Sequence, residues 1–229
     1  DVVVTVNPRP AINDMTGSAC SGAGFTVTPV NVTNGIVPAV TTYTWSAPSV
    51  QPGLTGGAGG SGNSITGTLT NTTNAALTAT YTVTPTSGSC QGPDFDVVVT
   101  VNPRPAINDM TGSACSGDGF TVTPVNVTNG IVPAGTTYTW NAPSVQAGLT
   151  GGAAGSGNNI TGTLTNTTNA ALTATYTVTP TSGSCQGADF DVVITVNPRP
   201  AINDMTGSAC SGDGFTVTPV NVTNGIVPA

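Results

Sequence analysis

One ten-residue string occurs three times in this chain, and its spacing limits what the chain can fold into. Asp1-Val2-Val3-Val4-Thr5-Val6-Asn7-Pro8-Arg9-Pro10 recurs from Asp96 to Pro105. With Ile194 in place of one valine it recurs again from Asp191 to Pro200, a period of 95 residues in a chain of 229. Residues 1–95 and 96–190 differ at seven positions: Ala23/Asp118, Val40/Gly135, Ser46/Asn141, Pro52/Ala147, Gly59/Ala154, Ser64/Asn159 and Pro93/Ala188. A unit of 95 residues is the size of one small domain, so the folding problem is one sequence solved twice. The third copy runs for 39 residues to Ala229, too few to close a core, and the sequence reads as a segment of a longer array.

Within a unit, apolar and polar residues alternate with a period of two. Tyr43 and Trp45 share one face of Thr41–Trp45, and Leu77, Ala79, Tyr81 and Val83 share one face of the next long run, with threonines between them. Ile65, Gly67 and Leu69, then Phe25 with Val27, then Phe95 with Val97, Val99 and Val101 supply further inward faces. Tyr138, Trp140 and Tyr176 repeat the aromatic positions in the second unit, and all six aromatics are read as core. Threonine, valine and isoleucine suit a pleated surface because their χ1 angles are already restricted. Asn34-Gly35, Ala47-Pro48, the glycine stretch Gly56–Gly62 and Ser87-Gly88-Ser89 punctuate the runs. About seven short antiparallel strands per unit, with a tryptophan in the third, predict an all-β protein of tandem Greek-key β-sandwiches in an elongated array.

The prolines Pro8, Pro10, Pro103, Pro105, Pro198 and Pro200 mark the junctions as short semi-rigid connectors. They divide the chain into the last strand of a preceding repeat (1–8), sandwiches at 9–103 and 104–198, and the start of a third at 199–229. Strands of 8–10 residues plus loops give each unit a length of roughly 35–45 Å.

Charge excludes several classes of function. Charged residues are 6% of the chain, with ten Asp, three Arg and a net charge of −7, and Lys, Glu and His do not occur. Nothing here neutralises a phosphate backbone, so nucleic acid is not an expected partner. No apolar run approaches the ~20 residues of a membrane span. Without His, Lys or Glu no side chain is placed to activate a Ser or Cys, and no catalytic residues are assigned.

Cys20, Cys90, Cys115, Cys185 and Cys210 occupy two positions per repeat. Spacings of 70 and 25 without histidine argue against zinc and for disulfides in an oxidising compartment. Pairing within a unit joins Cys20 to Cys90 and Cys115 to Cys185, with the partner of Cys210 outside this segment. The alternative joins Cys20 to Cys185 of the next unit, because in immunoglobulin topology the two positions of one unit lie at opposite ends.

The Cys-Ser-Gly at 20–22, the Thr-Tyr-Thr-Trp strand, and the run from Thr78 through Cys90-Gln91-Gly92 into Phe95–Pro103 resemble the PKD-like, immunoglobulin-like tandem repeats of giant Bacteroidota surface proteins, gliding-motility adhesins among them. The resemblance covers both full repeats. It implies an extracellular or cell-surface filament, exported by the type IX route, that serves adhesion, gliding or biofilm cohesion. It carries no catalytic residues. Its partners would be neighbouring repeats, other copies in a filament, and host or environmental surfaces or glycans. The alternative function is a ligand-binding adhesin module that uses the Gly56–Gly62 loop or the turn at Cys90.

No cofactor is expected. Calcium is the one metal weighed, at Asp14, Asp94, Asp96 and Asp118, and the favoured role of these residues is turn capping and solubility, since no D-x-[DN]-x-[DN] loop occurs. Asn31, Asn71, Asn126 and Asn166 fit the N-x-[ST] acceptor pattern, read as fortuitous in a threonine-rich chain. Arg9, Arg104 and Arg199 are each followed by proline, a bond that trypsin-like proteases cut poorly. The folded chain should therefore survive trypsin intact on an electrophoretic time course, and rapid fragmentation would refute this.

Overall fold

A computed structural model describes residues 1–228; Ala229, the last residue of the expected third copy, lies outside the described residues. The chain is all-β and forms two compact units, Asp1–Pro105 with Ser182–Cys185, and Ala106–Thr181 with Gln186–Ala229. The first repeat contains β1 (Ala11–Ile12), β2 (Met15–Cys20), β3 (Gly24–Val27), β4 (Gly35–Ile36), β5 (Thr41–Trp45), β6 (Ser49–Val50), β7 (Leu54–Gly56), β8 (Gly60–Gly62), β9 (Ile65–Asn71), β10 (Leu77–Ser87), β11 (Cys90–Gln91) and β12 (Phe95–Asn102). There are more strands than the seven expected because the loops themselves pair: β1, β4, β6 and β11 are two-residue ladders.

One layer of the sandwich runs β2-β12-β10-β5-β8, with β6 and β11 also on β10; the other runs β3-β9-β7. All these pairings are antiparallel except β2 on β12, which is parallel with Met15 opposite Val97 and Cys20 opposite Asn102. The second repeat reproduces both layers, with Met110–Cys115 parallel to Phe190–Asn197.

The alternation read from the sequence is the alternation of burial. Along β12, Phe95, Val97, Val99 and Val101 are buried; along β10 the buried set is Ala79, Tyr81, Val83 and Pro85. Tyr43, Trp45 and Tyr81 lie in the first core, and Tyr138, Trp140 and Tyr176 in the second. Each large side chain moved out of water contributes about 1.5–3 kcal/mol. Gly67 is an inward position without a side chain for a steric reason. A Cβ there would come within 2.9 Å of Phe25 Cε1 and 3.0 Å of the Tyr81 hydroxyl. Its absence lets Phe25 and Tyr81 meet across the layers at 5.4 Å between ring centroids. Pro85 sits in a central strand without breaking a ladder. Its carbonyl accepts from Gly92 N on the flank where β12 has not yet begun, and a backbone N–H of residue 85 would have faced the same flank.

The Gly56–Gly62 stretch, read as a flexible loop, is partly strand. β8 pairs Gly60 with Trp45 because Gly60 packs against the indole, where a Cβ would lie 2.7 Å from Cζ2.

Three of the seven differences between the copies have a structural reason. Thr28 shares a hydroxyl hydrogen bond with Ser64, and Thr123 donates to Asn159 in its place. Asp118 accepts from Arg199 at 2.6 Å, an exposed ion pair worth at most about 1 kcal/mol, which Ala23 cannot form with any arginine. Val40 holds a left-handed φ of 57°, which the second copy gives to Gly135 at φ 74°. Nothing in the structure explains the other four.

A β-branched residue at such a φ is strained by about 1–2 kcal/mol, part of which glycine gives back through the greater freedom of the unfolded chain. Val40 is exposed and buries nothing. Val40→Gly should therefore stabilise the chain by about 0.5–1 kcal/mol, read as a higher urea midpoint at unchanged slope. A fall in midpoint would show that the valine has a stabilising contact.

Candidate functional site

The parallel pairing of β2 with β12 decides what the cysteines can do. It puts Cys20 level with Asn102, at the end of the sheet where Val101 opposes Leu77. Cys90 lies on β11 opposite Ser87, at the other end of the same strand β10. Ten residues of extended chain separate those levels, roughly 33 Å at about 3.3 Å per residue. A disulfide needs Cα atoms within about 7 Å. The expected bonds within a repeat, Cys20 to Cys90 and Cys115 to Cys185, are therefore corrected. Cys20 is bonded to Cys185, with Cα atoms 5.5 Å apart, and Ser182–Cys185 accordingly belongs to the first compact unit. Among the described residues Cys90, Cys115 and Cys210 are free, Cys90 half-buried and the other two exposed.

The end of the sandwich that carries Cys20 is also its most ordered polar site. Asn71, at the end of β9, is buried, and its amide nitrogen donates to the carbonyls of Ala75 at 2.7 Å and Val101 at 2.9 Å. Its Oδ1 accepts from the backbone N and the hydroxyl of Thr73, closing an Asx turn. Ser21 completes the clamp, its hydroxyl donating to Asn71 O and accepting from Asn71 N. Asn166 and Ser116 repeat every bond. A buried amide with both donor directions used cannot accept a glycan in the folded chain. Asn31 and Asn126 are different: each has an Oδ1 that accepts from a backbone N six residues on. This helps fix a loop in which Val32 and Val127 hold φ near 72°.

The aspartates considered for calcium are spread over separate hydrogen bonds. Asp14 Oδ1 accepts from Asp96 N, Asp96 from Thr82 and Asp94 from Thr84. Among the described residues no group of three or more Asp or Cys could hold a metal ion. Under the glycine stretch a cavity of about 520 Å³ is lined by Trp45, Gly57, Ser61 and Thr66 among others. Below it the Trp45 indole N–H and the Tyr81 hydroxyl are buried and have no hydrogen-bond partner among the described residues. Burial pushes the Tyr43, Tyr81, Tyr138 and Tyr176 hydroxyls above their ordinary value of 10.0.

Two closed sandwiches with the same layer order define a tandem immunoglobulin-like β-sandwich protein. Residues 18–105 and 112–200 both match the PKD-like domain, and the chain belongs to that family. Domains of this kind are binding or structural modules. Comparison with curated proteins gives no match. Similar solved structures include the Ig1 and Ig2 domains of DIP-gamma, at 10% identity over 83% of this chain and 98% of that one, with a TM-score of 0.31. SporoSAG from Toxoplasma gondii is 12% identical over 82% and 98%, with a TM-score of 0.28. The insect immune protein hemolin is 10% identical over 83% of this chain and 50% of its own, with a TM-score of 0.36.

The sequence alone gave Ser21 and Asn71 no structural role. The signal was present in Asn71-Thr72-Thr73-Asn74, an Asx-turn string directly after a strand. Asn71→Ala should cost the first sandwich about 2–3 kcal/mol, since it leaves the buried Val101 carbonyl without its donor. Asn31→Ala, at an exposed site, should cost less than about 1 kcal/mol. Urea denaturation of both variants checks the ranking, and equal losses would refute it.

Proposed function

We propose that this chain is a structural segment of an extracellular filament or stalk, in which PKD-like sandwiches repeated at near-identity supply reach for adhesion, gliding or biofilm cohesion. The observation that carries the reading is that two consecutive copies bury nearly the same set of positions 95 apart, the one difference inside that shared core being the conservative Val99 against Ile194. A unit copied with its core intact adds length, and the connectors at Pro8, Pro10, Pro103, Pro105, Pro198 and Pro200 limit bending between units bounded at 9–103 and 104–198. The resemblance to Bacteroidota surface repeats supports the same reading. An extracellular location fits a disulfide, which persists outside the reducing cytosol. Among the described residues no helix is long and apolar enough to cross a membrane.

A second reading, a ligand-binding adhesin module, is favoured by one observation: the cavity floored by Trp45 beneath the glycine stretch. Glycan-array binding that is lost in Trp45→Ala but kept in a control surface variant would support it.

Electron microscopy of cells labelled with antibody to this chain should show surface filaments with an axial repeat of roughly 35–45 Å. Label confined to the cell interior, or particles without an axial repeat, would overturn the structural reading.

A further inference from the structure

The glycine stretch between β7 and β8 covers two polar groups that make no bond. In the first repeat these are the Trp45 indole N–H and the Tyr81 hydroxyl, buried and without a hydrogen-bond partner among the described residues; the Trp140 indole N–H and the Tyr176 hydroxyl repeat both in the second. A buried polar group without a partner has lost its water and gained nothing in return, and each copy carries two. Glycine backbone lies over them. A Cβ on Gly57 would come within 2.8 Å of the Tyr81 hydroxyl, one on Gly67 within 3.0 Å of it, and one on Gly60 within 3.2 Å of Trp45 Nε1. Gly152, Gly162 and Gly155 stand over Tyr176 and Trp140 in the same way, at 2.8, 3.0 and 3.1 Å. Gly57, Gly60 and Gly67 also wall the cavity of about 520 Å³, whose rim carries the exposed hydroxyls of Ser61, Thr66 and Thr68.

We propose that this cavity is a binding site for a neutral saccharide, present once in each repeat, in which sugar hydroxyls supply the partners that the Trp45 indole N–H and the Tyr81 hydroxyl lack. The proposal deepens the ligand-binding reading above and rests on it. The lining sets the class of ligand. None of the lining residues is charged, so a charged ligand would lose its water there without meeting a counter-ion. The floor offers one group that only donates, the indole N–H, and one that donates or accepts, the tyrosine hydroxyl. A sugar hydroxyl answers both, and the rim hydroxyls answer its neighbours on the ring. The indole and the glycine backbone give the sugar C–H groups an apolar face. The volume falls within the range of about 300–1,000 Å³ in which proteins hold small ligands.

Both groups lie under the stretch, so binding displaces it. Little resists that movement. Gly56, Gly57, Gly59, Gly60 and Gly62 have no side chain to draw out of a core, and Gly56 and Gly57 hold φ of 85° and 75°, which glycine adopts freely. β8 joins its sheet as an edge strand through a three-residue ladder to β5. The bonds gained by the two buried groups offset the ladder that is loosened. The lining residues recur 95 positions on with one exception, Gly59, which becomes Ala154. The added methyl narrows the backbone freedom of the second cover, so the second repeat binds the same sugar more weakly.

The test is calorimetric titration of the intact chain with neutral tetrasaccharides of glucose, N-acetylglucosamine, galactose and mannose, with sialyllactose as the acidic control. A neutral sugar should bind at two sites of unequal affinity. Tyr81→Phe removes one oxygen and leaves the ring packed. It should weaken the tighter site about fivefold, the loss expected for one neutral hydrogen bond, and Tyr176→Phe should do the same to the weaker site. Without sugar, Tyr81→Phe should raise the urea midpoint, because an unpaired buried hydroxyl has been removed. A variant expected to be more stable cannot mimic lost binding by failing to fold. Gly59→Ala should bring the tighter site down to the affinity of the weaker. Sugar binding unchanged by both tyrosine variants, or a urea midpoint lowered by Tyr81→Phe, would overturn this site and leave the ligand-binding reading standing. Preference for sialyllactose would overturn the neutral class. Binding of no saccharide in any arm would remove the ligand-binding reading itself.

Discussion

The parallel rung between Cys20 and Asn102 is the contact on which the covalent organisation of this chain turns. Parallel pairing sends β2 toward the end where β12 finishes, whereas the β10–β11 ladder lies where β12 begins. An antiparallel β2 would have brought Cys20 toward the level of Cys90 and permitted a bond inside one sandwich. As built, each repeat carries one cysteine toward each end of its own sheet.

With so few charges, the surface relies on threonine hydroxyls, and the polar interior on neutral hydrogen bonds. Asn71 does what an ion pair does in other proteins: it ties β9, the following turn and β12 together through five groups, with no desolvated charge to offset. Asp94 and Asp96 accept from threonine hydroxyls on the adjacent strand, and Asp14 accepts from the Asp96 backbone N–H. A fold held this way has few groups that titrate near neutrality, which suits an exposed structural element.

Much of this was legible beforehand. Alternation through Leu77–Val83 and Phe95–Val101 assigned the inward faces because side-chain direction in a strand depends only on parity. The 95-residue period divides residues 1–190 into two copies, and two stretches of the chain match the PKD-like family. What the pattern concealed depends on partners remote in sequence. Gly60 reads as a loop residue until the Trp45 indole is placed beneath it, and Asn71 reads as one more polar residue in a fortuitous acceptor pattern until Val101 O is brought to its amide. The cysteine pairing was undecided because spacing in sequence carries no information about which end of a sheet a residue occupies.

The string Asp-Val-Val-Val-Thr-Val-Asn separates the two kinds of information. At 96–102 it is a strand whose Val97, Val99 and Val101 are wholly buried; at 1–7 the same residues form no strand, and Val2, Val4 and Val6 are 90%, 76% and 87% exposed. Phe25 is buried in the first core, and its counterpart Phe215 is 74% exposed. The sequence by itself determined which side chains would share a face, since that follows from local backbone geometry. Only the tertiary structure decided whether that face was buried and which cysteine met which, because burial and bonding require a second surface that local sequence cannot supply.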